Sequence, residues 1–138
     1  MSPTIQGMIV KGFGVASQNL KKGLLAELTK LFPEIAGCCP GTINVKLDLP
    51  LKIYNPQFIS PRIRIMDNET FGLHGVEFEC PLGTASLRSW ILLPERSPHR
   101  VDIFYAEIMT GKLDAAVSGA RCALHILGPH THSQILII

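Results

Sequence analysis

Short runs dense in β-formers, each closed off within a few residues by Pro, Gly, Asn or Asp, recur along most of this 138-residue chain. They occupy residues 4–10, 43–49, 61–66, 76–80, 86–93, 101–108 and 121–127. None is long enough to stand alone as a sheet, and repeated turn signals between short strands predict a closed, mainly β architecture. Pro40-Gly41, Asn55-Pro56, Asp67-Asn68 and Pro81-Leu82-Gly83 read as the turns, through the preset φ of Pro and the permissive φ of Gly. One segment breaks the pattern. Leu20, Leu24, Leu25, Leu28, Leu31 and Phe32 recur at helical spacing and predict one principal amphipathic helix over residues 20–32, packed through Leu24, Leu28 and Leu31. Asn19 suits its start, and Pro33 stops it.

At 46% hydrophobic residues, a chain of this length closes one substantial core and is short for two, so a single domain over residues 1–138 is expected. The formal charge of +2 falls well short of the concentrated basic surplus that binding a nucleic-acid backbone requires. No apolar run approaches the roughly 18–20 residues of a membrane helix, and the N-terminal residues lack a signal-peptide pattern. These features predict a soluble, cytoplasmic protein with neither nucleic acid nor membrane as partner. Cys38 and Cys39 are adjacent and Cys80 and Cys122 are isolated, which is not a zinc spacing, so free structural thiols are expected. The tail, residues 134–138, reads as a last strand or as a contact for a second copy of the chain.

Two segments carry chemistry. In the first, Gly7-x-x-x-x-Gly12-Phe13-Gly14-Val15-Ala16-Ser17, a strand runs into a small-residue loop ahead of the helix. Small residues let backbone N–H groups approach an anion, although a Gly-x-Gly bend is often no more than a bend. In the second, Pro40-Gly41-Thr42-Ile43-Asn44-Val45-Lys46-Leu47, a turn enters a strand. Alternation puts Thr42, Asn44 and Lys46 on one face and Ile43, Val45 and Leu47 on the other. The hydroxyl of Thr42 and the amide oxygen of Asn44 suit a hard cation such as Mg2+, whose charge would have to be met mainly by ligand phosphates. The same alternation also describes a polar face turned to water.

A glycine-rich loop, a helix and then a Pro-Gly-Thr-Ile-Asn-Val-Lys-Leu strand, in that order, resemble the CTP-dependent riboflavin kinases of archaea. The resemblance is anchored in residues 7–47 and extends to the segments around residues 94–99 and Glu107. It implies a small closed cradle-loop β-barrel of six to seven strands with one principal α-helix. It further implies transfer of the terminal phosphate of CTP to the 5′-hydroxyl of riboflavin, giving FMN. Carried over by position, Thr42 and Asn44 hold the magnesium ion. Gly12, Phe13, Gly14, Val15, Ala16 and Ser17 wrap the nucleotide, and Met109, Lys112 and Leu113 close on it. Ser97 and Glu107 approach the flavin, and Glu107 serves as the catalytic base. Val15 and Ala16 stand where the family carries Glu-Gly. The alternative function is a non-catalytic module that binds a flavin or a nucleotide.

Other constellations offer less. His130 and His132 fall on one side of a strand, and His125 or His99 could supply a third zinc ligand. Glu77 and Glu79 share a strand face with no partner visible in the sequence, and Ser86 and Ser118 lack a nucleophile-elbow context.

Overall fold

The structure is a computed structural model, described for residues 3–11, 23–39, 41–95, 103–111, 118–127 and 135–137. Its strands are β1 (Thr4–Val10), β2 (Ile43–Leu47), β3 (Leu51–Ile53), β4 (Phe58–Ile59), β5 (Phe71–Glu79), β6 (Ser86–Pro94), β7 (Tyr105–Met109), β8 (Arg121–Ile126) and β9 (Ile135–Ile137). The one α-helix among the described residues, α1, spans Leu25–Leu31. Single turns of 3-10 helix follow at Pro33–Ile35 and Arg64–Met66. No helix among the described residues is long and apolar enough to cross a membrane.

Seven strands form one antiparallel sheet in the order β4-β5-β6-β7-β2-β1-β8, and β8 also pairs with β5. The second pairing bends the sheet into a closed ring of six strands, β1, β2, β7, β6, β5 and β8. Closure satisfies backbone donors and acceptors that an open sheet would leave along two edges. β4 stays outside the ring on β5, and β3 pairs separately with β9, so residues 135–137 of the expected final strand are engaged within the chain.

Alternation along the ring strands creates two cores. Ile5, Ile9, Val45, Leu47, Val76, Phe78, Ile91, Ile108, Leu124 and Ile126 point inward and are buried together. On the outer face, Phe71, Leu73, Trp90, Leu92 and Met109 are covered by Leu24 and Leu28 at the helix and by Ile35, Ile63 and Met66. An amphipathic helix this short draws its stability from such packing rather than from its own propensity. Within this outer core Phe58 stacks on Phe32 at 4.8 Å and lies 5.6 Å from the Trp90 ring.

Several expectations are revised. Residues 61–66 form no strand, because Arg64–Met66 is a 3-10 turn and Ile63 keeps only an isolated bridge to Glu69. Asp67 and Asn68 adopt left-handed backbone conformations (φ 53° and 57°) that reverse the chain there. Leu31 does not pack: it is 42% exposed, because the chain leaves the helix at Phe32 and Ile35 of the following turn fills the core instead. Residues 20–22 of the expected helix and its proposed cap Asn19 lie outside the described residues. β3 and β4 were not expected, and β5 begins five residues before the predicted 76–80 segment.

Candidate functional site

β2 lies between β1 and β7, and its register brings the second motif together with a residue more than sixty positions away. Asn44 is the direct partner of Val10 on one side and of Glu107 on the other. Residues directly opposite in an antiparallel pair project on the same side of the sheet with Cβ atoms about 4.5–5.5 Å apart. The row continues through Leu92 on β6 to Leu73 on β5, so it lies on the outer face. The next row carries Met8, Lys46 and Tyr105. On the other flank, Met109 pairs with Trp90. Alternation from Asn44 puts Thr42, half-buried just ahead of β2, on the same outer face as Met109.

Asn44 and Glu107 are polar residues at the rim of an apolar core, and burial governs both. The Oδ1 atom of Asn44 is buried and accepts no hydrogen bond from any described residue. An acceptor of this kind carries a desolvation penalty until a donor or cation meets it. Glu107 is 7% exposed, and burial pushes its carboxyl pKa up to about 7. A neutral oxygen donor and a carboxyl group poised near neutrality thus share one row.

Connectivity adds to the arrangement. β1 ends at Val10 beside Asn44, and after Lys11 the chain enters residues 12–22. β7 ends at Met109, three residues before residue 112. Thr110 is held by a 2.6 Å hydrogen bond from Ser89, and its carbonyl accepts the Cys39 amide at 2.8 Å. The loop following α1 is therefore tied to the end of β7 immediately before Thr42 and Asn44.

Of the residues expected at the site, the register gathers Thr42, Asn44 and Glu107. Met109 is fully buried beneath the helix with Trp90 and Leu24, so its side chain is packed rather than offered to a ligand. Gly12, Phe13, Gly14, Val15, Ala16, Ser17, Ser97, Lys112 and Leu113 lie outside the described residues. Gly7, the first glycine of the loop motif, has a packing reason for its size. A Cβ there would come within 2.6 Å of the Lys46 carbonyl oxygen and 2.7 Å of Val45 Cγ1.

A cleft of about 280 Å³ opens elsewhere, between β3 and the ring. It is lined by Leu51, Ile53, Tyr54, Ile91, Leu93 and Tyr105 among others. Leu51, Ile53 and Ile91 belong to the inner core, and neither Asn44 nor Glu107 lines this cleft.

The rival constellations lose support where they are described. His125 is engaged by Glu79 at 3.3 Å and by Thr4 at 3.0 Å, and no metal-sized group of three His, Cys, Asp or Glu side chains occurs among the described residues. His99, His130 and His132 fall outside them. All four cysteines are thiols, with Cys80 and Cys122 buried. Sequence reasoning could nominate Thr42, Asn44 and Glu107 but not their adjacency, since strand register is a long-range property. No protein-family model matches the chain, and no curated protein matches it.

Proposed function

We propose that the chain is a phosphotransferase of the riboflavin kinase type, its ring a cradle-loop barrel. It would transfer the terminal phosphate of CTP or another nucleoside triphosphate to the 5′-hydroxyl of riboflavin. The observation that carries this reading is the pairing of Asn44 with Glu107, with an unmet amide oxygen on one and a carboxyl raised toward neutrality on the other.

The donor set fits Mg2+: the buried Asn44 Oδ1 meets no donor among the described residues, Thr42 stands two residues before it, and hard cations take neutral oxygens when phosphates supply the charge. A magnesium ion bound there supplies neutralisation of the phosphate oxygens. The chain's own residues do the remainder. Glu107 accepts the proton of the 5′-hydroxyl as that oxygen forms its bond to the terminal phosphorus. The bond from phosphorus to the nucleoside diphosphate breaks, and its electron pair leaves with the diphosphate. The antiparallel pairing of β2 with β7 fixes the register of the row, which favours positioning over reorganisation.

Incubation with riboflavin, MgCl2 and each of CTP, ATP, GTP and UTP, followed by chromatographic separation of FMN, tests activity and donor together. FMN formed by the parent and lost in Asn44→Ala and Glu107→Gln is the expected result. Binding of CTP or riboflavin without any FMN would favour the non-catalytic module. Absence of both binding and transfer would overturn the reading.

A further inference from the structure

The proposed site has an electrostatic shortfall that its own ligands do not cover. Thr42 and Asn44 are neutral and Glu107 carries no positive charge in either protonation state, whereas a triphosphate brings several negative charges. Phosphoryl transfer depends on positive charge placed where negative charge develops. Lys46 is the only cation among the residues of β2 and β7. It occupies the row next to Asn44 and Glu107 on the same face, paired with Tyr105 on β7 and Met8 on β1. A diagonal neighbour in a sheet lies about 7–8 Å away, within reach of a side chain as long as lysine.

The surroundings leave that charge available. Lys46 is exposed and makes no ion pair with any described residue. The nearest acid along the chain, Asp48, just past the end of β2, is already held by the two terminal guanidinium nitrogens of Arg121, at 3.2 and 2.5 Å. Tyr105 and Met8, its neighbours across the strands, carry no competing carboxylate.

Building on the kinase reading, we propose that Lys46 is a catalytic residue that contacts the terminal phosphate of the nucleotide and neutralises the charge developing during transfer. This gives a role to the third polar residue of the Thr42, Asn44, Lys46 face, which the metal alone does not use.

The full-length chain and its Lys46→Met and Lys46→Arg variants are compared in two measurements. In the FMN-forming assay with CTP and magnesium, Lys46→Met should lower kcat by about 100-fold. The KM for riboflavin should stay within about 2-fold, and Lys46→Arg should recover most of the rate because it restores the charge. In calorimetric titrations, with magnesium and with EDTA, Lys46→Met should weaken CTP by about 5-fold and leave CMP unchanged. A Lys46→Met protein with parental kcat and an unchanged CTP-to-CMP affinity ratio would overturn the role of Lys46 while leaving the kinase reading intact. A parent chain that neither forms FMN nor binds CTP would remove both.

Discussion

Asn44 on β2 and Glu107 on β7 are direct partners across an antiparallel pair, and they face the same side of the sheet. Every other candidate in the second motif is positioned relative to that pair. Thr42 precedes it by two residues on the same strand face, and Lys46 follows it by two.

The orphaned oxygen of Asn44 separates a binding role from a structural one. Because Oδ1 accepts nothing from the described residues, Asn44→Ala removes no internal acceptor interaction, and its stability should stay within about 1 kcal/mol of the parent. Magnesium should then cease to strengthen CTP binding. Urea unfolding and paired calorimetric titrations with and without magnesium check this. A large loss of stability, or an undiminished magnesium effect, contradicts the assignment.

Glu107 predicts a pH-dependent stability. Its carboxyl pKa rises from 4.5 in the unfolded chain to about 7 in the folded one through burial. Below pH 4.5 both states are protonated and burial of the group is tolerated in full. Between 4.5 and 7 the unfolded chain ionises first, so stability falls as pH rises, and above 7 the folded protein holds a buried carboxylate. Glu107→Gln, measured by urea unfolding in EDTA, should therefore match the parent near pH 4 and exceed it at pH 8 by about 1–3 kcal/mol. A difference that does not change with pH excludes this account.

Gly7 should resist any side chain. A methyl group there meets the Lys46 carbonyl oxygen at 2.6 Å, and main chain cannot step aside as a flexible side chain can. Gly7→Ala is expected to lose about 1–3 kcal/mol of unfolding free energy by forcing β1 away from β2. Preserved stability would mean that the two strands separate readily.

The thiols should divide by burial. Cys122 is pushed up to about 12 by burial and by its neighbour Cys80, and Cys38 to about 11 by burial and by Cys39. Cys39 is exposed. Since the thiolate is the reacting form, a disulfide reagent at pH 8 should label Cys39 first and Cys38 slowly, reaching Cys80 and Cys122 only on unfolding. Mass spectrometry of the labelled peptides reads the order, and early labelling of Cys122 would contradict its enclosure.

Much of the ring is legible locally. β1 coincides with the predicted 4–10 segment, and β6 and β8 differ from theirs by one residue at one end. The failures have physical causes. Ile63 and Ile65 imitate a strand's alternation, yet Ile65 is 57% exposed and the segment is turned aside by the left-handed pair Asp67-Asn68. β3 and β4 are too short to show a period. The start of β5 is disguised by Gly72 and Gly75, which look like loop residues. Their size instead admits Pro56 against Gly72, and Arg88 with Gln57 against Gly75. Thr42, Asn44 and Glu107 were each nameable from residue type, but the row they form depends on β2 choosing β7, a choice no local pattern encodes.

Ring closure also governs how the chain is made. The seam joins Thr4 on β1 to His125 on β8, contacts separated by 121 residues, and the same β8 closes against β5. During synthesis β1 emerges first and waits for its second neighbour until nearly the whole described chain has left the ribosome. Until then β1 and β5 each present an unpaired edge, the kind of surface that recruits other nascent chains. Contacts so distant in sequence also slow folding. The strand that completes the ring is thus the protein's last safeguard against misassembly, and a chain halted before residue 121 would carry two open edges into the cell.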